Sequence, residues 1–425
     1  MRKKPVVGAV LVLLLSACGA GGSDTEDRQT HRAPAPSDSV PAGTGRPAVR
    51  SDFDGDGYGD LVFTNGTATV NGKYAAGYAA VIRGSSKGPV LDGRQVVTQD
   101  DLRLGKAGEG GGFGSRGVTA DLDGDGRADL VVTGTEDSTA RVLLGPFSRD
   151  GAPRRTVSLD LTPSDPAYYT ARPTTAGDIT GDGKDDLLVT WSHVYADEEP
   201  IPRATLVYRG TADGKPVKGP RLKDDQGKDF YGAWLRTGDV NKDGFADVVA
   251  GLACEMLGDV MTPEGGSRVT VLYGGPSGQS AKLRPTRLTE RTTGLPVDGP
   301  FSSCTFGVGP SVGDIDADGY ADVAFSVRTG TEPDGESSVV LLRGSARGLT
   351  VEGARSLPGG RATMLDTNGD RAAELAVAGP GEGEVRVLRG GREGVALTPA
   401  LAVKEADLDL GPEISITGRA FGVVG

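Results

Sequence analysis

Short apolar runs, separated by polar and glycine-rich stretches, recur along most of this chain. Leu61-Val62-Phe63, Leu130-Val131-Val132, Leu187-Leu188-Val189, Val248-Val249-Ala250, Val323-Ala324-Phe325 and Leu375-Ala376-Val377 are too short for helices and read as strands. A second set of runs ends at a glycine: VIRG to Gly84, VLLG to Gly145, LVYRG to Gly210, VLYG to Gly274, VLLRG to Gly344 and VRVLRG to Gly390. After each glycine comes a polar stretch with another short run, such as Val157 to Leu161 or Arg284 to Leu288. No amphipathic helical period appears. The pattern predicts four strands per repeat: strand 1 enters an acidic loop, strand 2 leaves it, strand 3 ends at the glycine, and strand 4 follows.

The acidic loops carry the chemistry. Asp52, Asp54, Asp56 and Asp60 occupy positions 1, 3, 5 and 9 of the first loop, with Tyr58 at position 7. The pattern returns as Asp121, Asp123, Asp125, Arg127 and Asp129, then as Asp178, Thr180, Asp182, Lys184 and Asp186. It returns again as Asp239, Asn241, Asp243, Phe245 and Asp247, and as Asp314, Asp316, Asp318, Tyr320 and Asp322. A sixth copy has Asp366, Asn368, Asp370 and Glu374; there Arg371 replaces the position-6 glycine of the other five. That glycine lets the chain turn sharply.

Oxygens on alternate residues suit Ca²⁺, a hard cation that takes six to eight oxygens, and position 7 adds a backbone carbonyl. Ordinary Asp-Gly turns are the plain alternative, which six copies on a period of roughly 60 residues disfavour. Five loops are expected to hold the ion; the sixth departs from the pattern. An EF-hand is excluded. It needs a bidentate Glu at position 12 and flanking helices, whereas position 12 here is Phe63, Val132, Val189, Ala250, Phe325 or Val377.

Composition agrees with a turn-rich β protein: 68 glycines, 5% aromatic and 24% charged residues in 425. The net charge of −12 is concentrated in the loops, whose ligand positions hold about a third of the 58 acidic residues. With no basic patch in the sequence, nucleic-acid binding is disfavoured.

The N-terminus reads as a secretion signal: Arg2-Lys3-Lys4, an apolar run from Val6 to Leu15, then small residues. Leu15-Ser16-Ala17-Cys18-Gly19 resembles the lipobox of bacterial lipoproteins, which implies cleavage after residue 17, lipidation of Cys18 and anchoring on the outer face of the cytoplasmic membrane. The alternative is ordinary cleavage near Ala17 or Ala20. Residues 18–45, rich in Gly, Pro, Ser and Thr, form a flexible tether, and the repeats occupy 46–425. Cys254 and Cys304 remain, as a disulfide or as two separate buried thiols.

A third landmark precedes the loops: Phe113-Gly114, Tyr231-Gly232 and Phe306-Gly307, with Tyr168-Tyr169 displaced. Together the three landmarks resemble the FG-GAP repeats of integrin α-subunit propellers and the related VCBS-type repeats of bacterial surface proteins. The resemblance implies an all-β propeller of four-stranded blades with calcium bound between strands 1 and 2. Integrin propellers have seven blades and six repeats are countable here, so six or seven blades are open. The GAP element survives best as Ala378-Gly379-Pro380. The terminal Ala420-Phe421-Gly422 opening, joined to Val49-Arg50-Ser51, is expected to close the ring and remove a free edge.

In such a ring the loops opposite the calcium sites include residues 101–112, 164–169, Asp197-Glu198-Glu199 and 256–266. Cys254 and Cys304 fall on that face of adjacent blades, where a bond closing a loop of about 50 residues contributes roughly 4 kcal/mol. The histidines, His31 in the tether and His193 beside Trp191, assemble no Ser-His-Asp or Cys-His set, and no zinc spacing appears. The expected function is therefore a non-catalytic, calcium-stabilised surface module that binds a protein or glycan. A propeller-scaffold enzyme acting on polysaccharide or phosphoester, or a structural envelope protein, are the alternatives.

Overall fold

The computed structural model describes residues 51–85, 90–102, 110–134, 138–148, 151–165, 168, 170–192, 203–252, 255–257, 260–262, 267–297, 306–328, 337–366, 369–378 and 384–404. Six antiparallel sheets follow one another along the chain as the blades of a propeller. Blade 1 contains β1 (Leu61–Asn65), β2 (Tyr78–Arg83) and β3 (Val90–Val97); blade 2 contains β4 (Arg116–Ala120), β5 (Asp129–Thr133), β6 (Thr139–Leu144) and β7 (Arg155–Asp160). Blade 3 contains β8 (Thr170–Gly177), β9 (Asp186–Ser192), β10 (Arg203–Arg209) and β11 (Val217–Arg221).

In blade 4, β12 (Trp234–Gly238) and β13 (Asp247–Leu252) are followed by an inserted hairpin, β14 (Glu255–Leu257) and β15 (Val260–Thr262). That blade is completed by β16 (Arg268–Leu272) and β17 (Thr286–Thr289). Blade 5 has β18 (Val308–Gly313), β19 (Asp322–Arg328), β20 (Ser337–Arg343) and β21 (Thr350–Pro358); blade 6 has β22 (Ala362–Leu365), β23 (Glu374–Ala378), β24 (Glu384–Leu388) and β25 (Leu401–Lys404). Six blades, not seven, are present among the described residues. The expected closure by residues 420–425 and 46–50 lies outside them, and blade 1 has three described strands.

The unbroken apolar runs of the second strands have a direct cause. Blades 2 to 5 each pack a neighbour on both faces, so β5 and most of β9 are buried at every position, without the alternation of a half-exposed strand. Five apolar clusters fill the joints between successive blades, each drawing residues from both. Prolines sit where the ladder is already interrupted: Pro173 in β8 and Pro310 in β18 accompany register shifts, where a missing N–H costs least.

The aromatic landmark belongs to these joints. Phe113 and Phe306 are buried between their own blade and the preceding one, and Phe306 meets the Phe325 ring at 5.0 Å. In blade 3 the buried residue is Tyr168, against Trp191 at 5.6 Å. In blade 4 the sequence pattern is off by one residue. Phe230, not Tyr231, fills the joint, while Tyr231 lies under the Arg203 guanidinium at 4.8 Å.

Candidate metal centres in the first loop of each blade

Where described, the loops share one backbone conformation. Position 6 is left-handed in every copy, with φ of 91° at Gly57, 82° at Gly126, 83° at Gly183, and 87° at Gly244 and Gly319. Arg371 takes the same conformation at φ 76°, so the sixth loop keeps the shape without the glycine. Position 4 is left-handed as well, including Lys242 and Ala317.

Position 1 organises the turn. Asp121 accepts the N–H groups of Gly124 at 2.8 Å, Asp125 at 3.1 Å and Gly126 at 2.9 Å, and Asp52 does the same with Gly55, Asp56 and Gly57. Asp178, Asp239 and Asp314 each accept two of these donors, and Asp366 accepts from Gly369 and Arg371. In the first five loops position 2 is apolar and plugs the joint: Phe53, Leu122, Ile179, Val240 and Ile315 are fully buried.

Position 9 closes the loop. Asp129 accepts the N–H of Leu122 and of Gly145, each at 2.9 Å. Asp60, Asp247 and Asp322 repeat both bonds with their own position 2 and with Gly84, Gly274 and Gly344. Asp186 takes Thr180 and Gly210 instead.

Carboxylates therefore converge. One oxygen from each of positions 1, 3 and 9 lies within 4.8 Å of the other two in three loops: Asp52, Asp54 and Asp60; Asp121, Asp123 and Asp129; Asp314, Asp316 and Asp322. Such spacing suits one ion with oxygens at about 2.3–2.6 Å on several sides. Burial pushes Asp60 and Asp121 up to about 6, Asp247 and Asp322 up to about 7, and Asp129 up to about 8, with neighbouring carboxylates adding to the effect. Such buried negative charge is what a divalent cation offsets, so the residues fit calcium. In loops 3 and 4 position 3 is Thr180 or Asn241, and no carboxylate triad forms. Asn368 lies outside the described residues.

Two expected ligand positions behave differently from positions 1, 3 and 9. Position 5 stands apart from the triads: Asp56, Asp125, Asp182, Asp243, Asp318 and Asp370 each accept the position-7 N–H at 2.8–3.1 Å. Position-7 side chains bind the adjacent loop. Arg127 donates to the Asp54 carbonyl at 2.6 Å, and the Lys184 and Phe245 side chains cover Gly124 and Gly181. Tyr320 lies under the Lys242 ammonium at 5.2 Å.

Sequence reasoning also missed the cations at position 3. Arg83, Arg154 and Arg343 form ion pairs with Asp54, Asp123 and Asp316. Arg83 and Arg343 sit one residue before the glycine that ends strand 3, which was the available signal. Cys18, Cys254, Cys304, His193 and residues 197–199 lie outside the described residues.

The loops also stitch the ring. The position-1 carbonyl accepts the position-8 N–H of the next loop: Asp52 from Ala128 at 2.8 Å, Asp121 from Asp185 at 2.8 Å, Asp178 from Ala246 at 2.7 Å, Asp239 from Ala321 at 2.8 Å and Asp314 from Ala373 at 2.7 Å. The position-2 carbonyl accepts from the residue just past the strand-3 glycine of the next blade, as Leu122 does from Thr211 at 2.9 Å; at the first joint, where Pro146 has no N–H, Phe53 accepts from Phe147 at 3.1 Å.

Residues 121–189, from the acidic loop of blade 2 to the second strand of blade 3, match the FG-GAP-like repeat family. No curated protein sequence matches the chain. Among solved structures, an Agrocybe aegerita lectin described as recognising non-reducing terminal N-acetylglucosamine is 16% identical, with a TM-score of 0.42 over 82% of this chain and 81% of that one. The V. cholerae biofilm matrix protein Bap1 is 11% identical, with a TM-score of 0.30 over 84% and 80%. A Bacillus licheniformis rhamnogalacturonan lyase is 14% identical, with a TM-score of 0.32 over 80% and 71%. Likenesses this distant carry no argument about what the chain binds. The molecule is a six-bladed propeller in which one stretch matches the FG-GAP-like repeat and every blade carries its acidic loop.

Proposed function

We propose that the protein is a calcium-stabilised binding module, not an enzyme, that takes a protein or glycan ligand on the face opposite the acidic loops. In this reading Cys18 carries lipid and holds the propeller at the outer face of a bacterial cytoplasmic membrane.

The observation that carries the reading is the unequal build of the two faces. Connections between first and second strands are uniform, spanning 121–128, 178–185, 239–246, 314–321 and 366–373. On the other face, connections between second and third strands vary widely: 66–77 in blade 1, 329–336 in blade 5 and 379–383 in blade 6, with a whole hairpin in blade 4. Variable connections on a rigid frame are where ligand contacts concentrate.

The test is to probe the full chain on a glycan array and against cell-surface extracts, with calcium and with EDTA. A calcium-dependent hit that disappears when residues 66–77 are replaced by a Gly-Ser linker supports the reading. Turnover of a polysaccharide or phosphoester, abolished by one carboxylate substitution, would replace it with a catalytic one. The mass of the membrane-extracted chain, compared with Cys18→Ser, tests the anchor.

A further inference from the structure

The first strands of blades 2, 3 and 4 each contribute an arginine: Arg116 in β4, Arg172 in β8 and Arg236 in β12. These strands pack side by side at the inside of the ring. Arg116 and Arg236 line one cavity of about 410 Å³, whose walls also include Thr64, Asn65, Ser115 and Thr174. Arg172 is exposed on the intervening strand, and its positive charge acts on Arg116.

Among the described residues, none of the three forms an ion pair. Arg83, Arg154, Arg221 and Arg343, by contrast, each hold a carboxylate. Arg236 gives one N–H to the Leu235 carbonyl at 2.8 Å, which leaves the rest of its fork for another acceptor. Asp185 also lines the cavity, with its carboxylate accepting the Asp121 N–H at 2.9 Å. Burial holds Arg116 and Arg236 below the usual guanidinium range, with Arg172 adding to the effect on Arg116. Arg116 is reachable by solvent yet walled by the ring, so it is accessible and partly desolvated at once. Guanidinium stays charged under these conditions. A chain of net charge −12 thus sets Arg116 and Arg236 in one cavity and Arg172 on the strand between them, with no ion pair to any of the three among the described residues.

We infer that this central cavity binds the oxyanion of a sugar-sized ligand, a carboxylate such as that of a uronic acid or the phosphate of a sugar ester, on Arg116 and Arg236, with the exposed Arg172 of the strand between them adding its positive charge. Planar guanidinium forks match such oxyanions bidentately. The volume falls within the roughly 300–1,000 Å³ of small-molecule sites. The inference rests on the reading of a ligand-binding propeller, but not on its variable face or on calcium.

Calorimetric titration of the full chain with glucuronate, glucose and inorganic phosphate, at low and high salt, tests it. Glucuronate is expected to bind, more weakly as salt rises, and at least tenfold more tightly than glucose. Arg116→Gln and Arg172→Gln are each expected to lower that affinity about tenfold without changing the melting temperature, since both side chains are exposed. Arg116→Lys should recover part of the loss. Phosphate binding with the same dependence on Arg116, without glucuronate binding, keeps the oxyanion site and assigns it to phosphate esters. Failure of both anions to bind at low salt, or binding indifferent to both substitutions, overturns it. Array hits that survive Arg116→Gln would leave the variable-face reading standing without this one.

Discussion

Asp129 and Gly145 are joined by a hydrogen bond of 2.9 Å, from the glycine N–H at the end of strand 3 to the last carboxylate of the acidic loop. Two sequence landmarks, the final Asp and the strand-3 glycine, are therefore the two ends of one contact. Asp129→Ala leaves the buried N–H groups of Leu122 and Gly145 without this acceptor. Urea unfolding in EDTA is expected to show a loss of about 1–3 kcal/mol. An unchanged unfolding free energy in EDTA would assign this carboxylate to the metal alone.

Stability should respond to pH in opposite senses with and without metal. Asp60, Asp129, Asp247 and Asp322 have folded-state values raised from 3.8 to about 6, 8, 7 and 7, chiefly by burial. The folded apo form then binds more protons than the unfolded chain between those limits. Its stability is full near pH 4 and declines as pH rises through 6 to 8. Calcium needs the deprotonated carboxylates, so its stabilisation grows over the same window. Thermal melts from pH 5 to 8 in EDTA and in millimolar calcium should diverge, with the calcium form gaining about 2.7 kcal/mol per site at a hundredfold excess over Kd. Superimposable melts would remove calcium from these loops.

Arg343 pairs with the Asp316 carboxylate that a metal ion in this loop would use, so the two are expected to compete. Arg343→Ala removes an ion pair of about 0.2–1 kcal/mol and should raise calcium affinity at that loop by up to about fivefold. Calorimetry on the variant checks this. Weaker binding would mean that the guanidinium helps hold Asp316 in its liganding position.

Arg371 holds a left-handed backbone, φ 76°, where the other loops have glycine. For a side-chain-bearing residue that conformation costs roughly 1–2 kcal/mol. Arg371→Gly is expected to stabilise the protein by about 1 kcal/mol, less what glycine gains in the unfolded chain. A lower melting temperature would show that the Arg371 side chain contributes a contact worth more than the strain.

The acidic loops and their six-fold count were legible because their signal is local: oxygens on alternate residues and an apolar run immediately after. Roles decided by neighbouring blades were not. The side chains of Arg127 and Phe245 at position 7 act on the preceding loop, which lies a full repeat away and leaves no local signal. Tyr231 matched the aromatic landmark by offset, but a shift of one residue put Phe230 into the joint. The channel arginines had no pattern to find. Arg116, Arg172 and Arg236 stand at unequal distances before their loops, and only the packing of β4, β8 and β12 makes them neighbours.

The carbonyl stitches between loops all run one way: each blade offers acceptors, and the blade that follows it in the chain supplies the N–H donors. The stitches thus join each blade to the next one in sequence. A chain emerging from its N-terminus presents a finished edge with two acceptors before the next blade exists, and each new blade can dock on the one already made. Assembly in chain order then needs only contacts about one repeat apart, which keeps loop-closure entropy small at every step. Truncation from the C-terminus should remove blades while sparing the joints before them, whereas truncation from the N-terminus takes away the edge on which the rest was built.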